Sequence, residues 1–156
     1  MAGRMYTVSF APTAVTVAAD LFEIRPAAEK PVEVAGLFIS QTTEIADAQD
    51  EMIGYSVVRG HSTSGNGTAT TPRPLDRSAT AAGFAAETVG TTQASAGTGV
   101  TLHADAFNVR SGLGLWLPED CQWEVSATDT TLVVRLAGAP SDSVSFTGTL
   151  YVREWG

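Results

Sequence analysis

Cysteine is almost absent from this chain of 156 residues, in which Cys121 is the only one. A single cysteine cannot close a disulfide within the chain and cannot build a metal site made of cysteine ligands. Long apolar runs are missing too, since no stretch reaches the roughly 18 apolar residues of a membrane-spanning helix. The N-terminal residues lack the apolar centre of a secretory signal. We therefore expect a protein that folds in a cytoplasm and has no membrane partner.

Positive charge is also scarce. The chain has nine basic residues, only one of them lysine, against 17 acidic residues, and its formal net charge is −8. Charged residues make up 17% of the chain, below the usual quarter of a globular protein. A phosphate-binding surface needs clustered lysine and arginine, whereas these arginines are scattered along the chain. The sequence therefore predicts no nucleic-acid partner.

Clusters of residues that would indicate a metal or cofactor site are lacking. The two histidines, His61 and His103, show neither His-x-His nor Glu-x-x-His spacing, whereas a metal-binding jelly roll draws on clustered histidines. The carboxylates of Asp47, Asp50 and Glu51 are a conceivable calcium site, but their spacing is not that of an EF-hand loop. We expect folding to require no metal and no cofactor.

A catalytic constellation is not evident either. Cys121 is followed and preceded by acidic residues, which disfavour the thiolate that a nucleophilic cysteine requires. No glycine-rich phosphate loop occurs, and no pair of carboxylates stands out as the acid and base of a glycosidase. The sequence predicts a protein that is not an enzyme.

Alternation of apolar and polar residues is the strongest pattern that is present. In the last quarter, 130–156, Leu132, Val134 and Leu136 share one face with Arg135 on the other, and a second alternating run extends from Val144 to Val152. A period of two indicates strands with one buried face. Turn-forming residues separate the two runs, so we predict a long antiparallel hairpin whose last strand lies between neighbours in a sheet.

Similar runs predict strands in most of the chain. A helical turn is conceivable at 18–24, and 42–51 and 61–80 are predicted to be loops, the second without regular pairing because it is rich in Gly and Pro. Some eight to ten strands with little helix are typical of an antiparallel sandwich. We predict one all-β domain, 1–156, that is a jelly-roll-like β-sandwich. The other predicted strands are 5–10, 31–40 (central), 52–59, 84–91 (an edge strand), 100–109, 113–117 and 122–126.

Aromatic and arginine side chains occupy positions that the alternation places on outward faces. Tryptophan, tyrosine and arginine are enriched at the centres of protein interfaces. An alternative is that the two tryptophans of this set close the ends of the sandwich as ordinary core residues. The candidate subunit-interface residues are Trp116, Arg135, Tyr151, Arg153 and Trp155.

Several segments together resemble a group of small virion proteins of tailed bacteriophages, the jelly-roll decoration or cement proteins. The segments are SFTGTLYVREWG at 145–156, FNVRSG at 107–112, LWLP at 115–118, VRLAGAP at 134–140, DLFEI at 20–24 and TPRPLD at 71–76. The resemblance implies a homotrimer on the outer surface of an icosahedral capsid, with the major capsid protein as its partner. It implies no catalytic residues.

Loops and termini are the natural elements for contact with a capsid, because the strands are committed to their own core. The candidate contact residues are Arg4, near the N-terminus, and Arg73, Asp76 and Arg77, in the 61–80 loop. The competing interpretation is a carbohydrate- or receptor-binding sandwich of a phage tail or fibre, in which Trp116 or Tyr151 stacks on sugars. Coplanar aromatic rings would favour that interpretation, and burial of the same rings between subunits would favour a cement protein.

Overall fold

The computed structural model describes residues 3–43 and 50–156. In these residues twelve β-strands form two antiparallel six-stranded sheets, and the helical structure consists of one 3-10 turn, Glu119–Cys121. The prediction of an all-β sandwich is confirmed. No helix in the described ranges has the length and apolar character needed to cross a membrane.

The strands are distributed evenly between the two sheets. In chain order the strands are β1 (Arg4–Val15), β2 (Asp20–Arg25), β3 (Val32–Gln41), β4 (Met52–Arg59), β5 (Thr68–Thr70), β6 (Arg73–Pro74), β7 (Ala85–Gly90), β8 (Val100–Asn108), β9 (Leu113–Trp116), β10 (Trp123–Val125), β11 (Leu132–Leu136) and β12 (Val144–Glu154). Sheet A has the order β10-β3-β12-β1-β6, and β9 pairs with the same side of β3 as β10 does. Sheet B has the order β5-β7-β2-β11-β4-β8.

The long strands pair in a nested pattern. β1 pairs with β12, β2 with β11, β3 with β9 and β4 with β8. The first strand therefore joins the last, the second joins the last but one, and the first four strands alternate between the two sheets. This is the arrangement of a long hairpin rolled into a sandwich, and the predicted jelly-roll topology is thus present.

The core lies between the sheets, and the alternating residues line it as the sequence predicted. On β12 the inward residues Val144, Phe146, Leu150 and Val152 are buried, and the residues between them lie on the outer face. Tyr6, Phe22 and other large side chains of both sheets fill the same layer. Removal of these apolar surfaces from water is the main source of stability in such a sandwich.

The predicted hairpin at 130–156 is wrong. β11 belongs to sheet B and pairs with β2 and β4, whereas β12 belongs to sheet A and lies between β1 and β3. A period of two indicates only that one face of each strand is buried. The same alternation occurs in two strands that pair in one sheet and in two strands of facing sheets, so it does not distinguish the two arrangements. The expectation that the last strand lies between two neighbours is confirmed.

Three local predictions also need correction. The stretch 18–24 holds strand β2 rather than a helical turn. Its apolar residues Leu21, Phe22 and Ile24 join the core, and the covering loops bury Asp20 and Glu23. The 84–91 strand, β7, is not at an edge, since β5 lies outside it. The 61–80 region is not wholly unpaired, because it contributes β5 and β6 to the sheets. Most of the predicted 42–51 loop lies outside the described residues.

Candidate functional site

A cluster of aromatic side chains lies on the outer face of sheet A. The ring centroids of Trp116 and Tyr151 are 4.6 Å apart, and Phe38 lies 5.2 Å from Trp116 and 5.8 Å from Tyr151. Trp116 is 59% exposed. We call Phe38, Trp116, Tyr151, Arg153 and Trp155 the aromatic surface. It contains four of the five residues that the sequence predicted for a subunit interface.

Two glycines allow the rings to lie against the sheet. Gly36 stands between Trp116 and Tyr151 in the strand register, and a Cβ atom at Gly36 would come within 2.7 Å of the indole ring. Gly114 is opposite Phe38, and a Cβ atom there would lie 3.2 Å from the phenyl ring. The glycines thus provide the space into which neighbouring rings fold over the backbone.

Charged groups border the rings on one side. The Arg153 guanidinium lies 5.5 Å from the centre of the Trp155 ring, at cation–π distance. Its Nη1 is 3.3 Å from Glu119 Oε1 and 3.7 Å from Glu33 Oε2. An apolar centre with a charged border is the usual composition of a protein-binding patch.

The rings are not coplanar. The planes of Trp116 and Tyr151 meet at 46°, and those of Phe38 meet Trp116 at 68° and Tyr151 at 77°. Stacking on successive sugar rings of a glycan requires several flat faces in one plane. Tilted and edge-to-face rings instead form an uneven surface that suits interdigitating side chains. Coplanar rings would favour a carbohydrate-binding surface, and these rings do not meet that criterion.

Arg135, the fifth predicted interface residue, lies on the other sheet. Its guanidinium donates to both carboxylate oxygens of Asp20, from Nε at 2.7 Å and from Nη2 at 2.9 Å, and to the carbonyl of Ala94 at 2.8 Å. Asp20 is 2% exposed and also accepts from the Ala94 amide at 2.7 Å. Arg135 thus attaches the 91–99 segment to the outer face of sheet B, away from the aromatic surface.

Further buried charges fix a second segment to sheet B. Glu23 is buried, and one of its carboxylate oxygens accepts from the Gly65 amide at 3.0 Å. Beside it Arg25 donates to Glu87 at 2.6 Å. Sequence reasoning missed Asp20 and Glu23, although acidic residues within the apolar run Asp-Leu-Phe-Glu-Ile were a signal that polar partners cover this strand.

The four candidate capsid-contact residues lie along one edge of sheet A. Arg73 belongs to β6, which pairs with β1 and so brings the loop beside Arg4. The Arg4 guanidinium donates to the Thr80 hydroxyl at 2.7 Å. Asp76 and Arg77 follow in the same loop and are exposed. The structure therefore joins the N-terminal segment and the 73–80 loop, which the sequence had named separately, into one surface.

A shallow groove runs through this edge. It has a volume of 480 Å³, and Arg4, Met5, Leu75 and Asp76 are among its lining residues. Leu75 is 58% exposed. Hydrogen bonds from the Ser78 amide and hydroxyl to Asp76 hold the pKa of that carboxyl below its usual value. The groove thus offers an apolar contact beside charges of both signs.

The residues considered for metal or nucleophilic chemistry are dispersed. Within residues 3–43 and 50–156 no group of three His, Cys, Asp or Glu side chains is positioned to hold a metal ion. Of the conceivable calcium ligands, Asp47 lies outside the described residues, Asp50 is 3.3 Å from Arg110, and the Glu51 carboxylate accepts from the Ser141 amide. Cys121 is exposed in the 3-10 turn.

Tyr55 is a buried phenol whose ionisation should affect stability. Burial raises the pKa of Tyr55, and the Asp105 carboxylate raises it further. The folded state therefore keeps the phenol protonated above about pH 10, where the unfolded chain has lost that proton. We expect the free energy of unfolding to fall as the pH rises above 10, and to fall less steeply in Tyr55→Phe. Urea unfolding between pH 9 and 11.5 measures this, and equal slopes for the two proteins would contradict it.

Comparison of the chain with family models, with curated proteins and with solved structures found no match, so its assignment depends on the sequence patterns and the geometry described above.

Proposed function

We propose that this chain is a structural virion protein, a decoration or cement protein that binds the outer surface of a tailed-phage head. The observation that carries the proposal is the aromatic surface, a set of tilted rings with a charged border in which Trp116 is exposed and Phe38, Tyr151 and Trp155 are partly exposed. Large exposed apolar patches of this kind on a sandwich mark sites of protein association. The jelly-roll topology and the resemblance of several segments to cement proteins support the same assignment.

In this proposal the aromatic surface joins three subunits into a closed trimer. Trp116 and Tyr151 are then buried against a neighbouring subunit, and Arg153 exchanges part of its contact with Glu119 for contacts across the interface. Arg73 and Arg77 lie in or just after β6, at the opposite edge of sheet A from β9 and Trp116, and this stretch remains available for the major capsid protein. A trimer bound at three points gains strength through effective concentration, even when each contact is weak.

The second candidate function is a carbohydrate- or receptor-binding module of a phage tail or fibre. The observation in its favour is the same cluster of three aromatic rings, because an exposed Trp116 can stack on a sugar. The tilt between the rings disfavours it. In that case the protein binds glycans as a monomer, and the aromatic surface stays open to solvent.

The oligomeric state tests the proposal. We expect the wild-type protein to form a trimer at micromolar concentration, and the double variant Trp116→Ala with Tyr151→Ala to lose it while keeping its fold. Sedimentation velocity and circular dichroism measure the two properties. Met52→Ala is the matched control, because Met52 is 64% exposed on the other sheet.

A monomeric wild-type protein, or a double variant that stays trimeric, would contradict the role of this surface. A monomer that binds bacterial polysaccharide through Trp116 would identify the glycan-binding alternative.

Capsid binding tests the second surface. We expect Arg73→Glu with Arg77→Glu to leave the trimer folded, because both side chains are exposed, and to weaken binding to undecorated capsids at least about tenfold through charge reversal at the contact. Co-sedimentation with capsids over a concentration series measures the affinity. Unchanged binding would exclude this edge as the contact, and Arg110→Glu, at a distant loop, serves as the control.

A further inference from the structure

Strand β8 forms an open edge of sheet B. It pairs with β4 along its whole length, from Asn108 opposite Met52 to Val100 opposite Arg59. No strand of the described residues pairs with its other side. The outward N–H and C=O groups of alternate residues are therefore available to another strand, as at any sheet edge.

The remaining edges of the sandwich are protected. β5 has only three residues, and β9 and β10 are short and separated by the turn that contains Pro118. The free side of β1 is partly covered by β6, and a bulge at Pro12 interrupts its register. Short strands, bulges and prolines are the usual means of preventing edge pairing. β8 has nine residues without proline, lysine or arginine, and Asp105 is its only charged residue.

The geometry points to pairing of β8 with β8 of a second copy of this chain, antiparallel across a two-fold axis at Ala104. Sheet B of one copy then continues into sheet B of the other. A pair of this type is isologous, and in the proposed assembly each subunit of one trimer pairs with a subunit of another trimer. The inference goes beyond the proposed function and does not depend on the aromatic surface or on the capsid.

The side chains of β8 are complementary to themselves in this register. Antiparallel pairing centred on Ala104 forms two equivalent pairs, in each of which Asp105 of one copy lies opposite His103 of the other. In this register Asp105 never lies opposite Asp105 of the second copy. Opposite or hydrogen-bonding partners across a strand pair are favourable, whereas like charges oppose pairing. β8 also has a bulge, at Leu102, so regular pairing between the two copies is confined to the residues around the 103–105 centre.

The hydrogen bonds already made leave the required donor and acceptor free. The Tyr55 hydroxyl and His103 Nε2 are 3.1 Å apart. When the hydroxyl donates, the neutral imidazole carries its proton on Nδ1, for which the described residues provide no partner. Asp105 Oδ1 accepts from the Ala106 amide at 2.8 Å, which leaves Oδ2 to accept from Nδ1–H of the second copy.

The outer face of β8 does not obstruct a close approach. Ala104 and Ala106 are exposed there, opposite Ser56 and Gly54 of β4. Their methyl groups are too short to cover the backbone of the strand, in contrast to the long charged side chains that block many natural edges.

Disulfide trapping tests the register. In a Cys121→Ser background, we expect Ala104→Cys to form a cross-linked dimer on mild oxidation, because directly opposed Cα atoms lie within disulfide range. Ala106→Cys is the matched control. Its two copies would be offset by four residues, about 13 Å, and should not cross-link. Equal cross-linking of both variants, or of neither, would overturn the inference.

Self-association without a cross-link is the second measurement. We expect Ala104→Lys to abolish the pairwise association seen by sedimentation, and Ala69→Lys, on the three-residue edge strand β5, to leave it unchanged. The same measurement in the Trp116→Ala, Tyr151→Ala double variant distinguishes pairing through β8 from trimer formation. We expect this double variant to lose the trimer and still to form pairs through β8. Absence of any association that depends on Ala104 would overturn the inference. If Ala104→Lys instead weakened only the binding to capsids, the inference would also be overturned, and the capsid protein would be the partner of the β8 edge.

Discussion

Replacement of Asp20 by alanine is expected to lower the free energy of unfolding by about 3 kcal/mol. The substitution leaves the Arg135 guanidinium with no carboxylate partner in a site that is largely closed to solvent. It also removes the acceptor of the buried Ala94 amide, so that a second polar group loses its hydrogen bond. The 91–99 segment then has no firm attachment to sheet B.

Urea unfolding at pH 7 measures this effect, and Asp142→Ala is the control, because Asp142 is exposed in the loop between β11 and β12. The control should change stability by less than about 0.5 kcal/mol. Removing both charges, with Asp20→Ala and Arg135→Met, should cost less than the sum of the two single variants. A loss below about 1 kcal/mol for Asp20→Ala would show that the pair adds little beyond solvent-exposed ion pairs.

Replacement of Gly148 by valine is expected to destabilise the fold by about 3 kcal/mol, at the upper end of the range for an overpacked core. A Cβ atom at Gly148 would lie 2.8 Å from the Phe38 carbonyl oxygen and 3.1 Å from the rings of Phe10 and Phe22. The carbonyl belongs to a paired strand and cannot move without disturbing the ladder, so the strain cannot be relieved by a rotamer change.

Thermal and urea unfolding of Gly148→Val, with Gly138→Ala as the control, test this expectation. A Cβ atom at Gly138 would meet nothing within 4 Å. A Gly148→Val protein as stable as the wild type would mean that the two rings shift to accommodate the larger side chain.

Alternation in the sequence predicted which residues line the core. Val144, Phe146, Leu150 and Val152 face inward, and Trp116 faces outward, as expected from a period of two. Alternation does not reveal which strands pair, because the ladder depends on residues far apart in the chain. For this reason β11 and β12 were predicted as one hairpin, although they belong to opposite sheets.

The candidate site was predictable to a similar extent. Outward alternation selected Trp116 and Tyr151 individually, but it could not show that they meet, which depends on the pairing of β9 and β12 with β3. It grouped Arg135 with them because a pattern within one strand contains no information on the sheet. Phe38 and Gly36 were missed because their part of β3 is apolar on both faces, which indicated burial rather than a surface covered by rings.

The position of β12 between β1 and β3 has a consequence for synthesis on the ribosome. β12 is the last of the twelve strands to emerge, and until then β1 and β3 have no strand to join them into one sheet. The pairing of Arg4 with Glu154 also spans almost the whole chain, so its formation must follow closure of a very long loop. The growing chain therefore exposes the inner surface of a half-built sheet A until β12 has left the ribosome, and chaperones can bind this surface in the interval.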